Sequence, residues 1–263
     1  MKATMQYNYH THTSRCHHAY GADREYVETA IKAGIKILGF SDHVPYPYLH
    51  GQSSTVRMDI DDVENYVTSI RALEKEYKND IQIFLGFEAE YFENHWDDLC
   101  KALLPYNIDY LILGQHFLYG EREGRYNGAP SADEAQLKEY VDIVIKALNT
   151  GNFSYLAHPD LIHFTGEDEI YKKHMTRLCL EAKRLDIPLE INFCGFMDHR
   201  HYPSKRFFSL ASSLGNTFVF GRDAHTPDAF LDDATLSGCL KFAKECSITP
   251  LEHVTLHKPF RNI

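Results

Sequence analysis

Ile35-Lys36-Ile37-Leu38-Gly39-Phe40-Ser41-Asp42-His43 is a short apolar run that ends abruptly in an acid and an imidazole. Residues 35–41 read as a strand, and the polar pair stands at its carboxy-terminal end. Working outward, the same kind of run recurs at residues 5–9, 81–87, 110–114, 153–157, 188–192 and 217–221. Between these strands, amphipathic stretches predict helices near residues 23–33, 61–77, 131–148, 167–185, 204–214 and 234–246. Asp61-Asp62, and Ser131 ahead of Asp133-Glu134, place capping and negatively charged groups where two of these helices begin. Seven alternating units without a Gly/Ser/Pro linker predict a parallel α/β fold in one domain spanning residues 1–263.

Periodicity does not choose between an open sheet and a barrel. No GxGxxG or P-loop turn follows any strand, which disfavours a nucleotide-binding open sheet. Two long loops, residues 44–59 and 117–130, follow strands directly and would build the mouth of a barrel. The formal charge of −10 argues against a broad nucleic-acid footprint. It leaves room for a small anionic substrate, because bound cations would supply local positive charge. No signal peptide or membrane-length apolar run is evident, so a cytoplasmic location without membrane association is expected. The six cysteines form no CxxC pair and are expected to be reduced and structural. Oligomeric state is not readable.

Sixteen histidines are the anomaly, and their positions matter more than their number. His10-Thr11-His12, Asp42-His43, Glu88, Gln115-His116, His158 and Asp223-Ala224-His225 all follow the ends of strand candidates. If the strands are parallel, every one of these residues falls on a single rim. His10 and His12 are two apart on a strand and share a face; Asp223 and His225 repeat that spacing. Glu88 has two oxygens and can bridge two cations. A lone histidine after a strand is ordinarily a packed or capping residue, and one HxH pair is a weak signal. Recurrence on successive strands is what points to metal, since so many imidazoles would otherwise need partners or repel one another.

The ordered set His10-Thr11-His12, Cys16-His17-His18-Ala19, Ser41-Asp42-His43, Gly86-Phe87-Glu88, Gly114-Gln115-His116, Ala157-His158 and Gly221-Arg222-Asp223-Ala224-His225 resembles the polymerase-and-histidinol-phosphatase (PHP) phosphoesterases over nearly the whole chain. The resemblance implies a distorted seven-unit (β/α) barrel with three divalent ions, zinc, manganese or iron, at the carboxy-terminal rim of the strands. It implies one ion on His10, His12, Glu88 and Asp223, a second sharing Glu88 with His116 and His158, and a third on His18, His43 and His225. The Cys16–Ala19 stretch, Asp42-His43-Val44-Pro45 and Glu88-Ala89-Glu90 look most like the histidinol-phosphatase branch. That branch hydrolyses L-histidinol phosphate to L-histidinol and phosphate in histidine biosynthesis, which implies attack by a metal-bound hydroxide.

Other roles follow as expectations. Asp42 is the first candidate for the general acid and His17 the second. Arg15, Arg57, Arg200 and Arg222 lie near the expected rim and are candidates to clamp phosphate, Arg200 foremost. Glu121 and Glu123 are placed to receive a substrate ammonium, and Phe117 or Tyr119 to stack on an imidazole. Two rivals stand beside this reading. One is a phosphoesterase of the same scaffold acting on a nucleotide or another small phosphate ester. The other is a non-catalytic metal-binding protein, disfavoured because structural zinc sites are mostly sulfur-rich and this donor set avoids cysteine.

Overall fold

The computed structural model describes residues 5–52, 54–122 and 124–261. Among these, seven strands form one parallel sheet in sequence order: β1 Tyr7–Asn8, β2 Ile37–His43, β3 Gln82–Ala89, β4 Tyr110–Leu113, β5 Phe153–Leu156, β6 Leu189–Asn192 and β7 Phe218–Gly221. Every residue of β4, β5, β6 and β7 is buried, as expected of a parallel sheet with side chains inside and helices outside. The sheet curls until its edges meet just past β1 and β7. Thr11 pairs with Ala224, His12 N donates to Ala224 O at 2.9 Å, and Ala224 N donates to His10 O at 3.1 Å. The expected seven-unit barrel is therefore the observed fold.

Eight helices link or follow the strands among the described residues: α1 Asp23–Lys32, α2 Val63–Glu76, α3 Glu93–Leu103, α4 Glu134–Asn149, α5 Asp168–Arg184, α6 Phe193–Met197, α7 Lys205–Ser213 and α8 Asp233–Glu245. The sequence reading anticipates six of these. It misses α3, which buries Trp96, Leu99, Cys100 and Leu103 at helical spacing. Asp97 and Asp98 interrupt that stripe on the solvent side, and the preceding Tyr91-Phe92 blurs its start. It also misses α6, a short turn opened by the Asn192 side chain, which accepts from Gly195 N at 2.8 Å.

The charged start at Asp61-Asp62 forms a 3-10 turn, Ile60–Asp62, before α2 proper. All six cysteines are free, five of them buried. No helix among the described residues is long and apolar enough to cross a membrane.

Candidate metal centre

Parallel strands carry their carboxy-terminal ends to one mouth, so residues far apart in sequence meet there. Glu88, the penultimate residue of β3, sits at the centre. Its Oε2 lies 3.1 Å from His43 Nδ1, 3.4 Å from His10 Nε2 and 3.6 Å from His12 Nε2. Its Oε1 lies 2.7 Å from His158 Nε2 and 3.5 Å from His116 Nε2. Asp223 Oδ1 lies 3.0 Å from His12 Nε2 and 3.5 Å from His10 Nε2. The His18 ring centre is 5.3 Å from that of His43 and 4.7 Å from that of His225. All nine residues expected to bind metal converge.

Their ligand-type atoms form triads within 4.8 Å: His18, His43 and His225; His10, His12 and Glu88; His43, Glu88 and His116; and His10, His158 and Asp223. The first triad brings together the three residues expected at the third site. His158 contacts Glu88 and also groups with His10 and Asp223. Cys16, anticipated only as part of a motif, joins a further triad with His12 and His225.

The rings are fixed from behind. His10 Nδ1 lies 2.8 Å from Glu190 Oε1, His12 Nδ1 3.4 Å from Asp42 Oδ1, and His116 Nδ1 3.3 Å from Glu90 Oε1. His18 Nδ1 donates to Cys16 O and His225 Nδ1 to Asp223 O. A ring that donates from Nδ1 presents the Nε2 lone pair to the centre. Burial opposes the charge of Glu88 and Asp223, yet neighbouring imidazoles, chiefly His116 for Glu88 and His10 for Asp223, hold both well below the usual carboxylate range. Burial, reinforced by His12, pushes His43 well down and His225 to about 4. These four side chains are thus in their ligand forms at neutral pH.

His10 Nε2, His12 Nε2, Glu88 Oε2, His158 Nδ1 and His225 Nε2 are buried and lack any hydrogen-bond partner. Orphaned polar atoms of this kind are costly in a native interior. Cations held by this cluster would satisfy those that face its centre. The donor set, imidazole and carboxylate, suits zinc, manganese and iron alike.

Above the cluster lies a cavity of about 550 Å³, walled by Arg57, Phe117, Tyr126, Asp198, Arg200 and Tyr202 together with several of the ligand candidates. Both long loops reach it. Arg57 is buried and fully engaged, donating to both oxygens of Glu90 at 2.9 and 3.1 Å and to Glu121 Oε2 at 2.7 Å. It ties the loops together and is not free to clamp phosphate. Arg200 is part-exposed, bonded to Asp198 Oδ2 at 2.7 Å and to the Tyr202 hydroxyl at 3.0 Å.

Several expectations need correcting. Asp42 is fully buried behind His12 and accepts from Thr13 N, Thr13 Oγ1 and His43 N. With its oxygens committed there, it is not on the cavity wall and cannot reach a leaving group; it orients His12. His17 ends a 3-10 turn in the left-handed conformation, φ 69°, and is exposed, which leaves His18 to face inward. Arg15 is taken by Asp23 and Asn65, outside the cavity. Arg222 is buried over Phe193 and donates to Ala229 O.

Glu121 serves Arg57 and Ser54, and Tyr119 bonds Glu139 rather than lining the cavity. Glu123 lies outside the described residues. Glu190, Asn192, Tyr126, Asp198 and Tyr202 are participants that the sequence reading did not single out. The alternation in Leu189-Glu190-Ile191-Asn192, two polar residues facing one side of a buried strand, was the available signal.

A barrel whose rim gathers seven imidazoles and two carboxylates below an open cavity is a metal-binding (β/α) barrel of the hydrolase type. The chain belongs to the PHP domain family, which matches residues 8–193. A Deinococcus radiodurans protein named probable histidinol-phosphatase is 28% identical over 227 residues, covering 83% of this chain and 85% of that protein. The histidinol-phosphatase of Bacillus subtilis is 31% identical over 115 residues, 41% of this chain and 43% of that one. The Lactococcus lactis histidinol phosphate phosphatase, solved with zinc, L-histidinol and phosphate, shares the fold at TM-score 0.70 and 17% identity, covering 96% of this chain and all of that one.

Proposed function

We propose that the protein is a metal-dependent phosphomonoesterase that hydrolyses L-histidinol phosphate to L-histidinol and phosphate. The carrying observation is the convergence of nine ligand-type side chains, with orphaned buried atoms, beneath a cavity sized for one small ligand. A relative named probable histidinol-phosphatase, matched over 83% of the chain, points to the substrate.

In this reading three ions, zinc, manganese or iron, are held by His10, His12, His18, His43, Glu88, His116, His158, Asp223 and His225. When bound, such ions lower the pKa of coordinated water from 15.7 to roughly 7 and offset charge on phosphoryl oxygens. The chain's own residues do the rest. Arg200 turns its guanidinium from Asp198 to the phosphate; giving up an exposed pair costs only about 0–1 kcal/mol. The Tyr126 and Tyr202 phenols are protonated at neutral pH, as any ordinary phenol is, and burial only pushes them further up, so both can donate hydrogen bonds.

Phe117 and Tyr126, with ring centres 5.7 Å apart, offer an aromatic wall to the substrate imidazole. Asp198, rather than Glu121, is the carboxylate available to the ammonium. A net charge of −10 disfavours a broad nucleic-acid footprint, and the same reading places the whole chain, as one domain, in the cytoplasm.

The test is steady-state kinetics of metal-analysed protein on L-histidinol phosphate, mononucleotides and other small phosphate esters. A kcat/KM above ~10⁴ M⁻¹s⁻¹ for histidinol phosphate, well ahead of the others, is expected. A nucleotide or another ester in first place would overturn the substrate.

A further inference from the structure

β6 supplies none of the nine ligand candidates, yet its Glu190 and Asn192 are completely buried. A carboxylate in such a place is tolerable only if its lone pairs are satisfied. Those of Glu190 are. Oε1 accepts from His10 Nδ1 at 2.8 Å and from the Tyr155 hydroxyl at 3.4 Å. Oε2 accepts from His158 N at 3.1 Å and Asn192 Nδ2 at 2.9 Å. The Asn192 amide donates again to Asp223 Oδ2 at 3.1 Å, and its carbonyl caps α6.

The network therefore terminates on three side chains from three parts of the barrel: His10 directly, His158 through its backbone and Asp223 through Asn192. Those three offer ligand atoms within 4.8 Å of one another. Space is kept for the carboxylate as well, since a Cβ at Gly221 would fall 1.7 Å from Glu190 Oε1. The contrast lies across the mouth. In the triad of His18, His43 and His225, two rings are held by backbone carbonyls, of Cys16 and Asp223, and Glu190 touches none of the three.

We infer that Glu190 is a positioning residue that presets His10, His158 and Asp223 as one unit, and so governs the affinity of the ion they share far more than that of the ion on His18, His43 and His225, which the network reaches through Asp223 and His225. Donation from His10 Nδ1 fixes the tautomer whose Nε2 faces the centre, where that atom has no hydrogen-bond partner. The negative charge one bond behind the ring also raises its basicity as a ligand. Asn192, by taking Asp223 Oδ2, leaves Oδ1 to face His12 and His10. This inference rests on the metal-centre reading but not on the substrate.

The experiment uses metal-free full-length protein titrated with zinc against a chromophoric chelator, with thermal melts of the metal-free form alongside. Glu190→Gln keeps the shape and loses the charge. One class of site is expected to weaken roughly 10–100-fold while the others hold, with the metal-free melt unchanged. Asn192→Ser, whose hydroxyl can still cap α6, is expected to weaken the same class by a smaller factor.

Unchanged zinc affinity in folded Glu190→Gln would overturn the inference, as would equal weakening of every site with a lowered melt. If Glu190→Gln does not fold, unchanged affinity in Asn192→Ser overturns it. Wild-type protein that binds no zinc would defeat the metal-centre reading itself.

Discussion

Gly114 lies against Glu88 so closely that a Cβ on it would fall 1.9 Å from Oε1 and 2.6 Å from the carboxyl carbon. Glu88 is the group on which five imidazoles converge. Gly114→Ala must therefore displace the carboxylate rather than a flexible tip. The expected outcome is a loss of metal affinity of about 10–100-fold, at least as large as for a residue behind a ligand. Elemental analysis after dialysis reads it directly. A fully loaded, fully active variant would show that Glu88 is not the shared ligand.

Arg200 and Arg15 make a matched pair. Arg200 faces the cavity with a displaceable partner, whereas Arg15 is locked to Asp23 and Asn65 outside it. Arg200→Ala is expected to lower kcat/KM by about 10–100-fold, the worth of a charge-assisted hydrogen bond, mainly through KM. Arg15→Ala is expected to leave both constants near wild type. Kinetics in which Arg15 proves the sensitive position would reverse the assignment.

Metal loading should release protons. Burial disfavours charge on His10 and His12, but Glu190, Asp223 and Glu88 around His10, and the carboxylates of Asp223 and Asp42 beside His12, raise both well above the ordinary imidazole value. Metal-free protein therefore holds protons there at neutral pH, and an ion must displace them. Affinity is expected to climb with pH until the raised values are passed. Calorimetric titration in buffers of different ionisation enthalpy measures the proton count. A heat independent of buffer would contradict it.

Asp160 gives a stability signature of opposite sign to most carboxylates. Burial pushes it up to about 7, despite Ser204 N donating to Oδ2 at 2.7 Å, and its Oδ1 has no partner. A carboxyl whose folded value is raised contributes no penalty below its unfolded value near 3.8. The penalty grows as pH rises and is complete above about 7. Asp160→Asn, which stays neutral, is expected to raise the melting temperature at pH 8 and change it little at pH 4. Thermal melts of metal-free protein at the two pH values decide it; an equal shift at both would point to packing instead.

The strands and the metal rim were legible because their signals are local. A buried parallel strand is a short apolar run, and a ligand such as His116 or His158 declares itself by type and by position after that run. Partner choice is not local. Arg57 and Glu121 looked like phosphate and ammonium receptors, but across 64 positions of sequence they chose each other, at 2.7 Å. Arg222 and Asp42 likewise turned to the barrel wall, where backbone groups and His12 needed them. Glu190 was hidden for the reverse reason: its residue type marks it, but only the curl of the sheet brings β1, β5 and β7 around it.

The pairing of Thr11 with Ala224 sits between His10 and His12 on one edge and between Asp223 and His225 on the other. A nascent polypeptide that has emerged only as far as Phe193 owns seven of the nine candidate donors but has no second edge to zip against. Its ions have no finished socket to enter. The full set of nine donors is thus assembled only when the last strand closes on the first, and a chain cut short of that closure lacks both Asp223 and His225.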